Sequence, residues 1–229
     1  MLRYNIFNMI HKALRAMLYD TAQTLQQTYF ADTAEAAEAF EKINRVIHAF
    51  EQHGHHEDSI LMPVIQKFQQ ETIASFEKEH IDDRRMGADI LHLQNIYKAA
   101  RSGQERLIAG SAITKAFGDY LVFNLQHMQR EEIELNRLLW DHYTDHEIQM
   151  INERIIAGIA PDEMEKAAQW MMRAINREEA INWLKEVKAN APAPVFDLLF
   201  RLTETEMPER FRAKVQDDVL ARELSGQVF

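Results

Sequence analysis

Proline and glycine, the strongest backbone breakers, occur only five and seven times in 229 residues, and this scarcity restricts the fold more than any other feature of the chain. A sheet with many turns needs more of both, so long helices are favoured. The apolar pattern agrees. From Met1 to about Phe30, residues Ile6, Met9, Ile10, Ala13, Leu14, Met17, Leu18 and Leu25 recur at helical spacing. Asp32 and Thr33 offer N-cap chemistry for a second helix, with Glu35 in its first turn. That helix is predicted to run from Ala34 to about Phe68, with a kink at Pro63, which removes a ladder hydrogen bond. A third helix is predicted from about Glu71 to Arg101; Ser102-Gly103 is a break, and a fourth follows from Gln104 to about Tyr143. Long helices joined by short turns pack as antiparallel neighbours, which predicts an all-α, up-down-up-down four-helix bundle over residues 1-145. Residues 146-229 read as three to five shorter helices, with Pro161 at a start and Pro192 and Pro194 at a break. They are expected to form a helical C-terminal extension packed on the bundle or on a partner.

Composition excludes several classes of function. Cysteine is absent, which removes disulfides, thiolate metal sites, iron–sulfur clusters and cysteine nucleophiles. Any metal must be held by nitrogen and oxygen. The net charge of −10, without a Lys/Arg-rich stripe, argues against a nucleic-acid partner. No apolar run is long enough to cross a bilayer, and Met1-Leu2-Arg3-Tyr4-Asn5 does not open a signal peptide. A cytoplasmic protein with no membrane partner is the expectation.

Chemistry is concentrated in a pattern that occurs twice: His53-Gly54-His55-His56-Glu57-Asp58 and His127-Met128-Gln129-Arg130-Glu131-Glu132. Each reads His-x-x-x-Glu followed by a second acid. On a helix, a spacing of four puts both side chains on one face, a chelating arrangement. His11 and His80 lie upstream of the two copies. With turns near residues 31, 70 and 102, His11 and His53 lie about 20 and 22 residues from the first turn, Glu57 and His80 about 13 and 10 from the second, and His80 and His127 about 22 and 25 from the third; at ~1.5 Å rise per residue these offsets agree to about one turn. All four histidines therefore fall in one predicted layer. Four imidazoles and two carboxylates suit a pair of transition-metal ions, each taking two imidazoles and sharing both carboxylates, with open positions left over. A ferritin-like site would need two Glu-x-x-His motifs, but Asn124 stands in the corresponding place before His127. The metalloprotease pattern begins at His56-Glu57 and meets Ile60 where a histidine is required.

These residues resemble the hemerythrin-like, or HHE cation-binding, domains over about residues 1 to 145. The stretch His53 to Pro63 is similar to that family's His-x-x-x-Glu-Glu-x-x-Leu-x-Pro. His127 to Leu135 matches without the proline, and His11 and His80 match the single histidines of the first and third helices. The resemblance implies a non-haem di-iron centre with His11, His53, His80 and His127 as terminal ligands and Glu57 and Glu131 bridging two iron ions. Oxygen-carrying members place a second histidine on the third helix where this chain has Arg84, and use His-x-x-x-x-Asp on the fourth, where it offers Glu131 at four and Glu132 at five. Glu131 is taken as the ligand because it parallels Glu57. This set is more similar to members linked to iron-centre repair, nitric oxide response or iron handling, although repair members often carry a cysteine-bearing segment. The expected function is binding or sensing of O2, NO or peroxide, or handling of iron. The alternatives are an enzyme that reduces peroxide or nitric oxide, and a metal-stabilised regulatory module whose C-terminal helices engage a protein partner or self-associate.

Overall fold

The computed structural model describes residues 3–221. Among the described residues there are nine helices and no strand. They divide between two compact units, with the division along the chain falling between Ile159 and Ala160.

The first unit holds α1 (Asn8–Gln27), α2 (Thr33–His56, continued through Glu57–Leu61 and Met62–Ile65), α3 (Gln70–Ala99), α4 (Gly103–Arg130, continued through Glu131–Leu135 and Asn136–His142) and α5 (Asp145–Ala157). Helix α1 packs on α2 and α4, and α3 packs on the same two, which closes a four-helix bundle. Caps set the helix starts. The Asp32 carboxylate accepts from the backbone N–H of Ala34 and Glu35 at 2.7 and 3.3 Å, satisfying donors that the first turn cannot pair. Ser102 does the same for α4 through the Glu105 N–H at 3.1 Å, and Thr144 with Glu147 forms a reciprocal capping box at α5. One stripe of each helix is buried. In α1 it comprises His11, Leu14, Leu18, Thr21 and Leu25, so the histidine sits in register with the apolar face.

Both repeats of the histidine motif share a feature that helical periodicity does not announce. At Glu57–Leu61 and at Glu131–Leu135 the helix widens into a π turn, in which the N–H of Met62 reaches the Glu57 carbonyl and that of Asn136 reaches the Glu131 carbonyl. A turn closed over five residues stacks i above i+5. Glu57 and Met62 therefore both face inward, as do Glu131 and Asn136, all at most 2% exposed. The irregularity expected at Pro63 begins instead six residues earlier, at Glu57, and recurs in α4 where no proline is present. A π turn of this kind thus forms without a proline.

Apolar layers flank the motif. On one side Phe7, Leu61, Ile65, Ile73, Phe76, Leu135 and Leu139 meet Ile148 and Ile151 of α5. Elsewhere in the bundle, Phe30 and Phe40 each pack edge to face with Tyr97, whose hydroxyl donates to the Phe30 carbonyl at 2.7 Å. Gly110 is required there, because a Cβ would lie 2.1 Å from the Phe30 ring. Gly110→Ala should destabilise the bundle by about 1–3 kcal/mol through overpacking, read as a lower chemical-denaturation midpoint with unchanged slope.

The second unit contains α6 (Pro161–Ala174), α7 (Arg177–Asn190), α8 (Ala193–Thr205) and α9 (Glu209–Leu220). Its core is formed by Ala168, Met172, Ala180, Leu184, Leu199, Leu202, Met207, Val215 and Val219. Pro161 opens α6, as expected of a residue tolerated in a first turn. No described helix is long and apolar enough to cross a membrane.

Candidate metal centre

His11 on α1, His53 and Glu57 on α2, His80 on α3, and His127 and Glu131 on α4 converge in the interior of the bundle. They form two overlapping groups, His11–His53–Glu57–Glu131 and Glu57–His80–His127–Glu131, each with its ligand-type atoms within 4.8 Å of one another. The two glutamates belong to both. His11 and Glu131 are fully buried, Glu57, His80 and His127 nearly so, and the His53 side chain is 11% exposed.

Distances within the cluster are short but the groups do not satisfy one another. His53 Nε2 lies 3.2 Å from Glu57 Oε1, His80 Nε2 is 3.3 Å from Glu57 Oε2, and His127 Nε2 is 3.0 Å from Glu131 Oε1. His11 Nε2 is 3.1 Å from His53 Nε2 and 3.4 Å from Glu131 Oε2. Yet both oxygens of Glu57, both of Glu131 and the Nε2 of His80 have no partner in hydrogen-bond geometry. Burying carboxylates in this way is costly unless something else compensates their charge. A cation does so, and imidazole nitrogen with carboxylate oxygen is a donor set suited to first-row transition ions. The residues fit a metal.

The outer nitrogens show how the rings are aimed. A carboxylate can only accept, so an Nδ1 bonded to one must carry the proton and leave Nε2 as the ligating atom. His80 Nδ1 donates to Asp58 at 2.6 Å, His127 Nδ1 to Glu79 at 2.7 Å and His11 Nδ1 to Glu132 at 3.0 Å. Each acid is in turn paired with an arginine: Arg84 lies 3.7 Å from Asp58, Arg15 lies 2.8 Å from Glu132, and Arg130 binds Glu79 directly. Aromatic rings hold the same imidazoles. Phe7 stacks on His11 with centroids 4.9 Å apart, and Phe76 meets His127 edge-on at 5.8 Å.

Protonation follows from this packing. Burial, reinforced by Glu131, pushes the Glu57 carboxyl up to about 8. Glu131 is buried as well, but His127, His80 and His11 hold it well below the usual carboxylate range. Burial also opposes charge on His80 and His127, and here the acids outweigh it: Asp58, Glu131 and Glu57 push His80 up to about 12, while Glu131 and Glu79 push His127 up to about 10. His53 moves the other way, held well below its ordinary value by burial and then by His11.

The structure thus brings together all six residues singled out in the sequence. Glu132, the other acid of the fourth-helix repeat, is half-buried and binds His11 Nδ1 and Arg15, outside the two groups. Asp58 was visible as the second acid of its repeat, without a role, and Glu132 as the acid weighed against Glu131 as the ligand. Glu79 was missed, although its place next to His80 was a signal. Asp83 was missed as well: it is buried one turn beyond His80 and accepts from Asn124 Nδ2 at 2.7 Å. Arg84 is exposed and turned to Asp58, and His142 stacks on Phe68 at 3.7 Å; neither belongs to the two groups.

A buried histidine–carboxylate cluster inside a four-helix bundle defines a cation-binding helical protein. The family model of the hemerythrin HHE cation binding domain matches residues 3–139, and the chain belongs to that family. No curated protein and no solved structure matches the chain.

Proposed function

We propose that the bundle holds two iron ions, one between His11 and His53 and one between His80 and His127, with Glu57 and Glu131 shared, and that this di-iron centre binds or senses a small ligand such as O2, NO or peroxide, or handles iron. The observation that carries the reading is the overlap of the two four-residue groups in both glutamates, whose four oxygens are buried and unpartnered. Four protein donors per ion leave positions open for a small ligand in an octahedral metal, and bound iron supplies redox and Lewis-acid chemistry there. The chain's own residues do the rest. Asp58, Glu79 and Glu132 fix the imidazole tautomers, and the apolar layer of Phe7, Leu61, Phe76 and Leu135 excludes bulk water from one side. Arg84 in place of a further histidine supports sensing or iron handling over reversible oxygen carriage.

Anaerobic reconstitution with ferrous iron should give about two ions per chain by metal analysis, and O2, NO or peroxide should each be tested for a change in the optical spectrum of the loaded protein. Fewer than about one ion per chain would defeat the proposal. Unchanged spectra with all three ligands would leave iron handling as the function. Sustained consumption of peroxide or NO with an added electron donor would instead identify an enzyme.

A further inference from the structure

The backing of the imidazoles is uneven, and the unevenness follows the two proposed metal positions. His80 and His127, on one side of the shared glutamates, each donate Nδ1–H to an acid that an arginine holds in place: Asp58 with Arg84, and Glu79 with Arg130. On the other side only His11 has such a partner, Glu132 with Arg15. Among the described residues the one carboxylate in contact with the His53 ring is Glu57, and it lies on Nε2. The backing acids come from a neighbouring helix each time: Asp58 from α2 serves α3, Glu79 from α3 serves α4, and Glu132 from α4 serves α1. His53 is also the most exposed of the four rings, at 11% against 5% or less.

A carboxylate that accepts from the outer nitrogen raises the basicity of the inner one and holds the ring in the ligating orientation; losing such a partner typically costs about 10–100-fold in metal affinity. Building on the di-iron reading, we infer that the two positions are unequal: the ion between His80 and His127 binds first and tighter, the ion between His11 and His53 binds second and is the one exchanged, and Asp58, Glu79 and Glu132 are the positioning residues that set this order.

The test is an anaerobic titration of the full chain with cobalt(II), followed by its visible bands and by equilibrium dialysis. Two phases are expected, separated by about 10-fold or more in free metal. Glu79→Gln should weaken the first phase about 10–100-fold and leave the second near its original position, whereas Glu132→Gln should weaken the second alone. Both changes keep side-chain size, and the circular dichroism of each metal-free variant should match the unaltered chain. Should one variant fail to fold, the other still decides, because each predicts a different phase. Two ions binding with one affinity, or Glu132→Gln weakening the first phase, would overturn the inference while leaving the two-ion centre intact. Binding of a single ion by the unaltered chain would instead overturn the centre itself.

Discussion

Glu57→Leu is expected to abolish loading of the centre and, at the same time, to make the metal-free protein more stable. Glu57 belongs to both ligand groups, so its removal takes a donor from each proposed ion, and iron content after reconstitution should fall to below about a tenth of that of the unaltered chain. In the fold the same carboxyl is 2% exposed, and burial with Glu131 alongside pushes it up to about 8. Leucine has a similar volume and no desolvation penalty. Removing a buried carboxyl whose two oxygens have no hydrogen-bond partner lifts a burial penalty, here by on the order of 1 kcal/mol, or about 2–4 °C in melting temperature for a chain of this size. Glu131→Leu should behave differently. Glu131 is held ionised by His127, His80 and His11, so its loss removes a buried carboxylate charge that faces the Nε2 of these rings and should lower stability as well as loading. Calorimetry of the metal-free variants separates the two. A Glu57→Leu protein that retains the iron of the unaltered chain would remove Glu57 from the ligand set, and one that melts well below it would mean that the carboxyl stabilises the empty fold.

Loading is also expected to release protons and to strengthen as pH rises. In the metal-free fold His80 and His127, raised to about 12 and about 10, hold the proton on Nε2 at neutral pH, and Glu57, raised to about 8, is mostly protonated. All three must give up a proton to ligate, so binding near pH 7 should release up to about three protons per chain, and apparent affinity should climb by up to about tenfold per pH unit for each. Linkage for the empty fold has the opposite sense. Groups whose pKa is raised on folding contribute stability that is complete below their unfolded values and is lost as pH rises through the folded ones. For Glu57 that window runs from about 4.5 to about 8, and for the two histidines from about 6.5 upward to about 10 and about 12. The metal-free protein should therefore lose stability between about pH 6 and pH 9 while its affinity for metal improves. Titration calorimetry in buffers of different ionisation enthalpy measures the release directly, and a heat that is the same in every buffer would contradict the assigned protonation states.

Much of this geometry was legible in the sequence because it is carried by periodicity. Four histidines at matching distances from three turns must fall in one layer if the helices are straight, and His53/Glu57 and His127/Glu131 share a face by spacing alone. The helix start at Asp32 was equally plain, since capping chemistry is local, and Ser102-Gly103 stood out as the break before the fourth helix. Two kinds of information were not local. A π turn adds a single residue to a helix without changing its composition, so Glu57–Leu61 and Glu131–Leu135 left no mark in the apolar pattern, and Pro63 pointed only to the stretch just after the first of them. The acids behind the imidazoles act across 22, 48 and 121 residues of chain, so until the helices are placed nothing local tells which imidazole Asp58, Glu79 or Glu132 backs.

The near-complete enclosure of the ligands has a kinetic consequence. Five of the six side chains expose 5% or less of their surface, so a hydrated ion cannot reach them while the helices keep their places. Entry of metal then waits on transient separation of neighbouring helices, an opening whose frequency is set by local stability, and departure must in addition break the bonds that tie those helices together. The protein can thus be slow to take up metal and yet bind it only moderately, because uptake is a property of the motion of its bundle.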